Sequence, residues 1–419
     1  MKASSWRELF VVRLGELDSK VEALVGAQRA QNERTVNLVA SETYAPRATL
    51  EAEASVLVDK NATGYPPREG FGGGAVMDAI ERLACARACA LFGAEHANIQ
   101  ALSSTIANVA VLRGLLQRGD RILAFDPSAG GHGSHGAAKH LSGQDYEVRF
   151  FGVREDGLVD YGAAARHAMA FRPRMIIAGS SAYPLALDLR ALAAMAQDVG
   201  ALIFADIAHV AGLVAAGLHD NPVPYCDVVT TSTHKTLCGP RTGGLILCRA
   251  RHAAAIDAAL APGLQAAPGA HIIAARAVLF GLVARPAFRL LMQAVLDGAA
   301  ALSEGLREAG VTLYAGGTET HMVVADLRAT AWRAAALNAA LYEAGIVANT
   351  TPLPERGESR LGLRLGSTPM AIRGLDAADF RALGAALGRF LNGADDGALA
   401  AHCAALAAAH PLPPGLTPG

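Results

Sequence analysis

The sequence predicts an α/β fold: a mostly parallel seven-stranded sheet covered by helices on both faces, followed by a smaller α+β unit. Three observations carry that prediction. From about residue 78 to 250, short runs rich in Val, Ile and Phe alternate with Ala/Leu/Arg stretches at helical spacing. Ala270 to about Leu306 then reads as long helical material broken at Pro286. Beyond it the strand and helix signals resume on a smaller scale, and 419 residues are enough for two or three domains.

Taken in order, residues 1–45 read as an N-terminal helical arm, 46–290 as a large domain, 291–410 as a small C-terminal α+β domain and 411–419 as a disordered tail. Within the large domain strands are expected near 97–101, 121–125, 147–152, 174–178, 201–205, 227–231 and 243–248. Too few residues separate the last two for a helical crossover, so they should pair antiparallel. In the small domain strands are expected at 311–314, 322–326 and 361–365, with helices near 331–344 and 376–391. Asn349–Glu355, with two prolines, reads as a loop. The tail Pro411-Leu-Pro-Pro-Gly-Leu-Thr-Pro-Gly419 cannot hold a helix.

Composition narrows the function. Lys+Arg 37 against Asp+Glu 38 leaves a net charge of −1, which supplies no electrostatic case for nucleic acid or an anionic membrane surface. The first residues lack the apolar core of a secretory signal and no run reaches a membrane span, so a cytoplasmic protein is expected. Six cysteines form neither a metal-like pair nor a disulfide framework, and no metal site is expected.

Three strand ends carry the chemistry. Only five lysines occur, and Lys235 follows the strand Val228-Val-Thr-Thr231 in a Ser-Thr-His-Lys-Thr turn, where open α/β sheets place ligands. That suits a lysine that forms an imine, against the plainer reading of a solvated loop residue. Twenty-nine residues upstream, strand 201–205 ends in Asp206-Ile-Ala-His209. A carboxylate there is either a helix N-cap or the partner of a cation such as a pyridinium nitrogen. After strand 97–101, Ser103, Ser104 and Thr105 open a helical run, which makes either a phosphate site or an ordinary cap. Together, phosphate, ring-nitrogen and amine sites are the parts of a pyridoxal 5'-phosphate pocket.

Longer motifs carry a resemblance. Thr231-Ser-Thr-His-Lys-Thr-Leu-Cys-Gly-Pro-Arg241, Ala205-Asp-Ile-Ala-His-Val-Ala-Gly-Leu213, Leu38-Val-Ala-Ser-Glu-Thr-Tyr44 and Leu363-Arg-Leu-Gly366 resemble the signatures of serine hydroxymethyltransferases, from about residue 30 to 395. The resemblance implies a fold-type-I pyridoxal-phosphate transferase, aspartate aminotransferase-like, acting as a homodimer with active sites shared across the interface. It implies Lys235 as the cofactor's imine partner, Asp206 at the pyridine nitrogen, and His209 and Ser181 near the phenolic oxygen. Ser103, Ser104 and Thr105 would hold the phosphate, His234 would adjoin the cofactor, and Ser41 with Arg364 would bind the amino acid carboxylate.

The departures are as informative. The family usually reads Tyr-Ala-Glu-Gly-Tyr-Pro-x-x-Arg-Tyr-Tyr-Gly-Gly, whereas here Asn61-Ala-Thr63-Gly-Tyr65-Pro-Pro-Arg-Glu-Gly70-Phe71-Gly-Gly stands. Thr63 replaces the proton-handling glutamate, and a hydroxyl does not titrate near neutral pH. Gly70 and Phe71 replace paired tyrosines, Thr351 a pterin-binding asparagine, and Ala129 the histidine stacked on the cofactor ring. Tyr65 and Phe71 remain as candidate substrate contacts. The sequence thus points to cleavage or formation of the Cα–Cβ bond of β-hydroxy-α-amino acids (threonine, serine, glycine) by a folate-independent transaldolase or aldolase. In that reading Thr63 joins the catalytic set, and His132, His135 or a water is the candidate base. A tetrahydrofolate-dependent serine or α-methylserine hydroxymethyltransferase and a non-catalytic pyridoxal-phosphate-binding relative are the alternatives.

Overall fold

The computed structural model describes residues 10–70, 72–241, 243–355, 358–394 and 397–415. In chain order the strands are β1 (Val36–Asn37), β2 (His96–Asn98), β3 (Arg121–Phe125), β4 (Glu147–Phe151), β5 (Met175–Gly179), β6 (Leu202–Asp206), β7 (Val228–Ser232), β8 (Gly244–Cys248), β9 (Met322–Asp326), β10 (Ile346–Val347), β11 (Asn349–Glu355) and β12 (Glu358–Gly366).

Strands β2 to β8 form the seven-stranded sheet, in the order β2-β8-β7-β6-β5-β3-β4. The four pairings among β3 to β7 are parallel, and β8 runs antiparallel to both β7 and β2. β5 and β7 are buried at every position, as expected of central strands covered on both faces. The helix Leu189–Val199 shows how the covering layer forms. Leu189, Leu192, Met195 and Ala196 recur at helical spacing and are buried. Asp188 caps its first turn by accepting from the Ala191 N–H, and left-handed Gly200 closes it. Each such leucine contributes roughly 1.5–3 kcal/mol by leaving water.

The parallel register sets the C-terminal ends of β5, β6 and β7 side by side, pairing Gly179 with Asp206 and Asp206 with Thr230. Because β8 returns antiparallel, its first residue Gly244 pairs with Ser232 and donates its N–H to the Ala101 carbonyl at 2.9 Å. That bond draws the segment leading to Ser103 up to the end of β7. One edge of the sheet therefore gathers residues far apart in sequence.

The smaller sheet has the order β11-β12-β9, all antiparallel. It is joined to the large sheet by the helices Ala270–Val283 and Pro286–Glu308, the second starting with Pro286 in its first turn, where a missing N–H costs nothing. The expected division at 290/291 falls inside that second helix. Its Gly298 lies under the Phe380 ring and its Gly305 against the Arg381 carbonyl, so it packs closely on the helix Ala377–Leu391.

Two expectations are corrected. The strand at 311–314 reduces to one bridge between Leu313 and Ala325, because the chain turns at Tyr314–Gly316 and the Tyr314 hydroxyl reaches the Ala129 carbonyl at 3.2 Å. The loop at 349–355 is strand β11. Pro352 and Pro354 fit there because β11 is an edge strand, where an absent N–H can face outward. The helix Ala398–Ala409 was not anticipated. Of the tail 411–419, Pro414 and Gly415 form a turn, 411–413 are irregular, and 416–419 lie outside the described residues. Among the described residues no single helix is long and apolar enough to cross a membrane.

Candidate active site

Lys235 lies just past β7, in the short turn Lys235–Leu237, with a left-handed backbone at φ 67°. The hydroxyl-rich flanks build the turn. Thr236 Oγ donates to the His209 carbonyl at 2.9 Å and accepts from the Gly212 N–H at 3.0 Å. The Thr233 carbonyl accepts from Gly239 N–H at 2.9 Å. Burial pushes the Lys235 amine down from 10.5 to about 8; Asp206 opposes this, while Arg364 and Arg241 add to it. It is therefore a far better nucleophile near neutral pH than an exposed lysine.

Asp206 ends β6 and is not a helix cap, since Val210 occupies that position before the helix Ala211–Ala215. Its Oδ1 accepts the Ala208 N–H at 3.0 Å, and its Oδ2 accepts Asn108 Nδ2 at 2.8 Å and His135 Nε2 at 3.0 Å. Burial would raise its pKa, but the His135 bond and charge, the His132 charge and the Asn108 bond outweigh it and hold the carboxyl well below 3.8. The result is a buried, ionised carboxylate at the strand end. His135 is itself fully buried with Nε2 committed to Asp206, which removes it as a candidate base.

His209 is buried and stacked on His321, with ring centroids 5.4 Å apart. His321 Nε2 lies 3.0 Å from the Ala40 carbonyl, which only accepts, so that nitrogen carries hydrogen. His209 Nδ1, 3.3 Å from the same nitrogen, is then the acceptor, and the hydrogen of neutral His209 sits on Nε2. Burial first, with Lys235, His321 and Arg364 adding, keeps His209 well below 6.5, and burial pushes His321 to about 3. His321, Asn108 and His135 complete the site from outside the expected cofactor set. Asn108 had a visible signal, an amide inside the apolar run Ile106-Ala-Asn-Val-Ala-Val.

Ser103 caps the helix Ser104–Leu115, its hydroxyl accepting the Ile106 N–H at 3.1 Å, while Ser104 and Thr105 form the first turn. Ser181 donates its hydroxyl to the Gly131 carbonyl at 3.1 Å and its N–H to the Gly130 carbonyl at 2.8 Å. This pins the Ala129–His132 turn beside it. Gly130 is left-handed at φ 113°, and a side chain there would strike the Tyr183 backbone, so Ala129 is held buried and close-packed. Arg364 reaches from β12 to the Ser181 carbonyl at 2.5 Å and to Asn349 Oδ1 at 3.3 Å, leaving a buried Nε–H unpartnered. Gly366, two residues on, is packed against Ala40, which brings the half-buried Ser41 to this region. His234 is half-buried with Nδ1 unpartnered, and burial, with Lys235 and Arg241, lowers it to about 4.

Thr63 and Tyr65 are not gathered here. Thr63 is exposed, and the Tyr65 hydroxyl is occupied by the Asp257 carbonyl and Asn98 Nδ2, both at 2.9 Å. Phe71 lies outside the described residues. The loop's own anchor is Arg68, buried and paired with Asp78 at 2.6 Å and with Glu81; Gln100 Nε2 ties Glu81 to the Gly64 carbonyl at 2.7 and 3.0 Å.

A depressed buried lysine, an ionised buried carboxylate and a helix N-terminus with three hydroxyls, all at one sheet edge, suit an aromatic aldehyde bearing a ring nitrogen and a phosphate. The fold and this donor set define the fold-type-I pyridoxal-phosphate enzymes. The sequence model of serine hydroxymethyltransferase matches residues 14–387, and the chain belongs to that family. It is a pyridoxal 5'-phosphate enzyme of the transferase type, with Cα–Cβ bond chemistry on small amino acids of the serine and glycine kind.

Proposed function

We propose that the chain is a folate-independent transaldolase or aldolase that moves glycine units between aldehydes, with threonine as the favoured donor. The observation that carries this reading is the residue at 63. It is an exposed threonine in place of the family's titrating glutamate, and its hydroxyl cannot exchange protons with a folate near neutral pH. Thr351 points the same way, since it is buried in β11 and offers no side-chain amide to a pterin.

In this proposal the chain's residues divide the work. Bound pyridoxal phosphate supplies an electron sink for the pair left on Cα. Lys235 would hold the cofactor's aldehyde through its amine, whose lowered basicity keeps the neutral, reactive form accessible near pH 8. Asp206 keeps a proton on the ring nitrogen through its charge. Ser103, Ser104 and Thr105 with their helix N-terminus hold the phosphate, and His209 presents Nε2–H. Arg364, pinned by Ser181 and Asn349, takes the substrate carboxylate in its planar fork, with Ser41 beside it.

A homodimer with shared sites belongs to the same proposal. Thr63 is exposed, the Tyr65 hydroxyl is engaged by Asp257 and Asn98, and Val56, Val58 and Val76 are apolar residues left exposed. The family assignment itself favours a second reading, tetrahydrofolate-dependent hydroxymethyl transfer from serine. One experiment separates them: purified holoenzyme is given threonine with and without tetrahydrofolate and with a second aldehyde. Acetaldehyde release without folate, accelerated by the aldehyde, is the expected result. Serine-to-glycine conversion that requires tetrahydrofolate would sink the proposal.

A further inference from the structure

The helix Ala270–Val283 carries a single cation, Arg276, in an otherwise apolar run, and that side chain is buried. A buried guanidinium must place its N–H groups on acceptors. Its Nη1 donates to the Ile99 carbonyl, and its Nη2 donates to the Ala101 carbonyl at 2.9 Å. One planar fork thus reaches the carbonyls of alternate residues. The rest of that run is held as well: Gln265 Nε2 donates to the Gln100 carbonyl at 2.8 Å, Gln265 Oε1 accepts the Leu102 N–H at 3.3 Å, and the Ala101 carbonyl also accepts the Gly244 N–H. The next residue is Ser103, the cap of the helix whose first turn carries Ser104 and Thr105.

The same guanidinium borders the segment between β7 and β8. A side chain on Gly243 would strike Arg276 Nε and Thr233 Oγ, and one on Gly244 would strike the Ser103 carbonyl. The Gly243 carbonyl accepts the Thr233 N–H at 3.2 Å, and Thr233 lies two residues before Lys235. Arg276 is therefore wedged between the run leading to Ser103 and the loop that carries Lys235. Burial lowers it to about 10, with the Glu53 charge opposing, so it remains a cation at neutral pH. Hydrogen bonds from a charged donor are about twice as strong as neutral ones, which suits a residue that fixes two loops at once.

We infer that Arg276 is a positioning residue for the cofactor phosphate: by holding the Ile99 and Ala101 carbonyls beside Gly243, it fixes where the N-terminus of the helix Ser104–Leu115 stands relative to Lys235. The inference rests on the reading of Ser103, Ser104 and Thr105 as the phosphate site. A ligand anchored at both ends, by its phosphate and by its aldehyde, is sensitive to the separation of the two anchors, and a misplacement of about 0.5 Å is enough to lose the fit. A ligand anchored by its aldehyde alone is not. Arg276 acts through Ile99, Ala101 and Gly243, so its removal should be felt by the phosphate and not by the ring.

Paired ligands read this out on cofactor-free protein without turnover. Pyridoxal and pyridoxal 5'-phosphate share the ring and the aldehyde, so the ratio of their dissociation constants, from titrations followed by imine absorbance, reports the phosphate. Differences between the free ligands cancel when a variant is compared with wild type. Arg276→Met removes both hydrogen bonds and should cut the ratio about tenfold or more, with pyridoxal binding held within about threefold. Arg276→Gln keeps a donor for one carbonyl and covers the case in which methionine prevents folding; its ratio should fall about threefold or more. A variant that keeps the wild-type ratio, by binding both ligands normally or by losing both alike, would overturn the inference. The double change Ser104→Ala, Thr105→Ala tests the phosphate site itself and should also cut the ratio; if it does not, the assignment of that site falls, and the inference with it.

Discussion

Lys235, Asp206 and Arg364 are three charged side chains converging on one crevice, and their effects should separate. Lys235→Ala should abolish the borohydride-reducible link to the cofactor; a link that persists, or that maps to Lys139 or Lys60, would refute the assignment. Because an amine attacks only when neutral, and the Lys235 amine is lowered from 10.5 to about 8, cofactor uptake by the apoprotein should accelerate as pH rises and level off above about 8. A rate that keeps climbing toward pH 10 would contradict the depressed value. Asp206→Asn removes the charge at the ring nitrogen but leaves a similar shape, so turnover should fall far more than cofactor occupancy. Arg364→Ala should act on KM for amino acids, since a charge-assisted pair is worth roughly 1.5–3 kcal/mol, or about ten- to a hundredfold. An unchanged KM would place the carboxylate elsewhere.

At the scale of elements, legibility followed burial pattern. β5 to β7 could be read because strands covered on both faces are continuous apolar runs, and the antiparallel β7–β8 pair because no helix fits between them. β11 was hidden by Pro352 and Pro354, which exclude a central strand but not an edge. His321 and Arg68 were hidden for another reason. Each is a lone polar residue locally, and its meaning lies in partners at Ala40, His209, Asp78 and Glu81, which only the fold assembles. The Arg68 ties make a further prediction. Glu81 and Arg68 are both buried, so Arg68→Ala leaves a carboxylate without its ion-pair partner and should cost about 3–5 kcal/mol in urea unfolding. Loss of much less than that would mean the Gln100 contact suffices for Glu81.

For the whole molecule, Val56, 81% exposed, and Val76, 63% exposed, are large apolar side chains left to solvent that an interface would cover. Sedimentation should find a dimer. If the sites are shared, mixing inactive Lys235→Ala protein with a variant inactivated in the Thr63–Tyr65 loop should restore part of the activity; no recovery after subunit exchange would argue for sites contained in one chain.

The left-handed backbone at Lys235 sets chemistry against durability. A residue with a side chain pays about 1–2 kcal/mol to sit there, and glycine does not. Cofactor-free Lys235→Gly should therefore unfold at higher urea than Lys235→Ala, by roughly that amount. Selection for heat resistance alone would be drawn to glycine at this position, and every step of that gain would be a protein that no longer reacts.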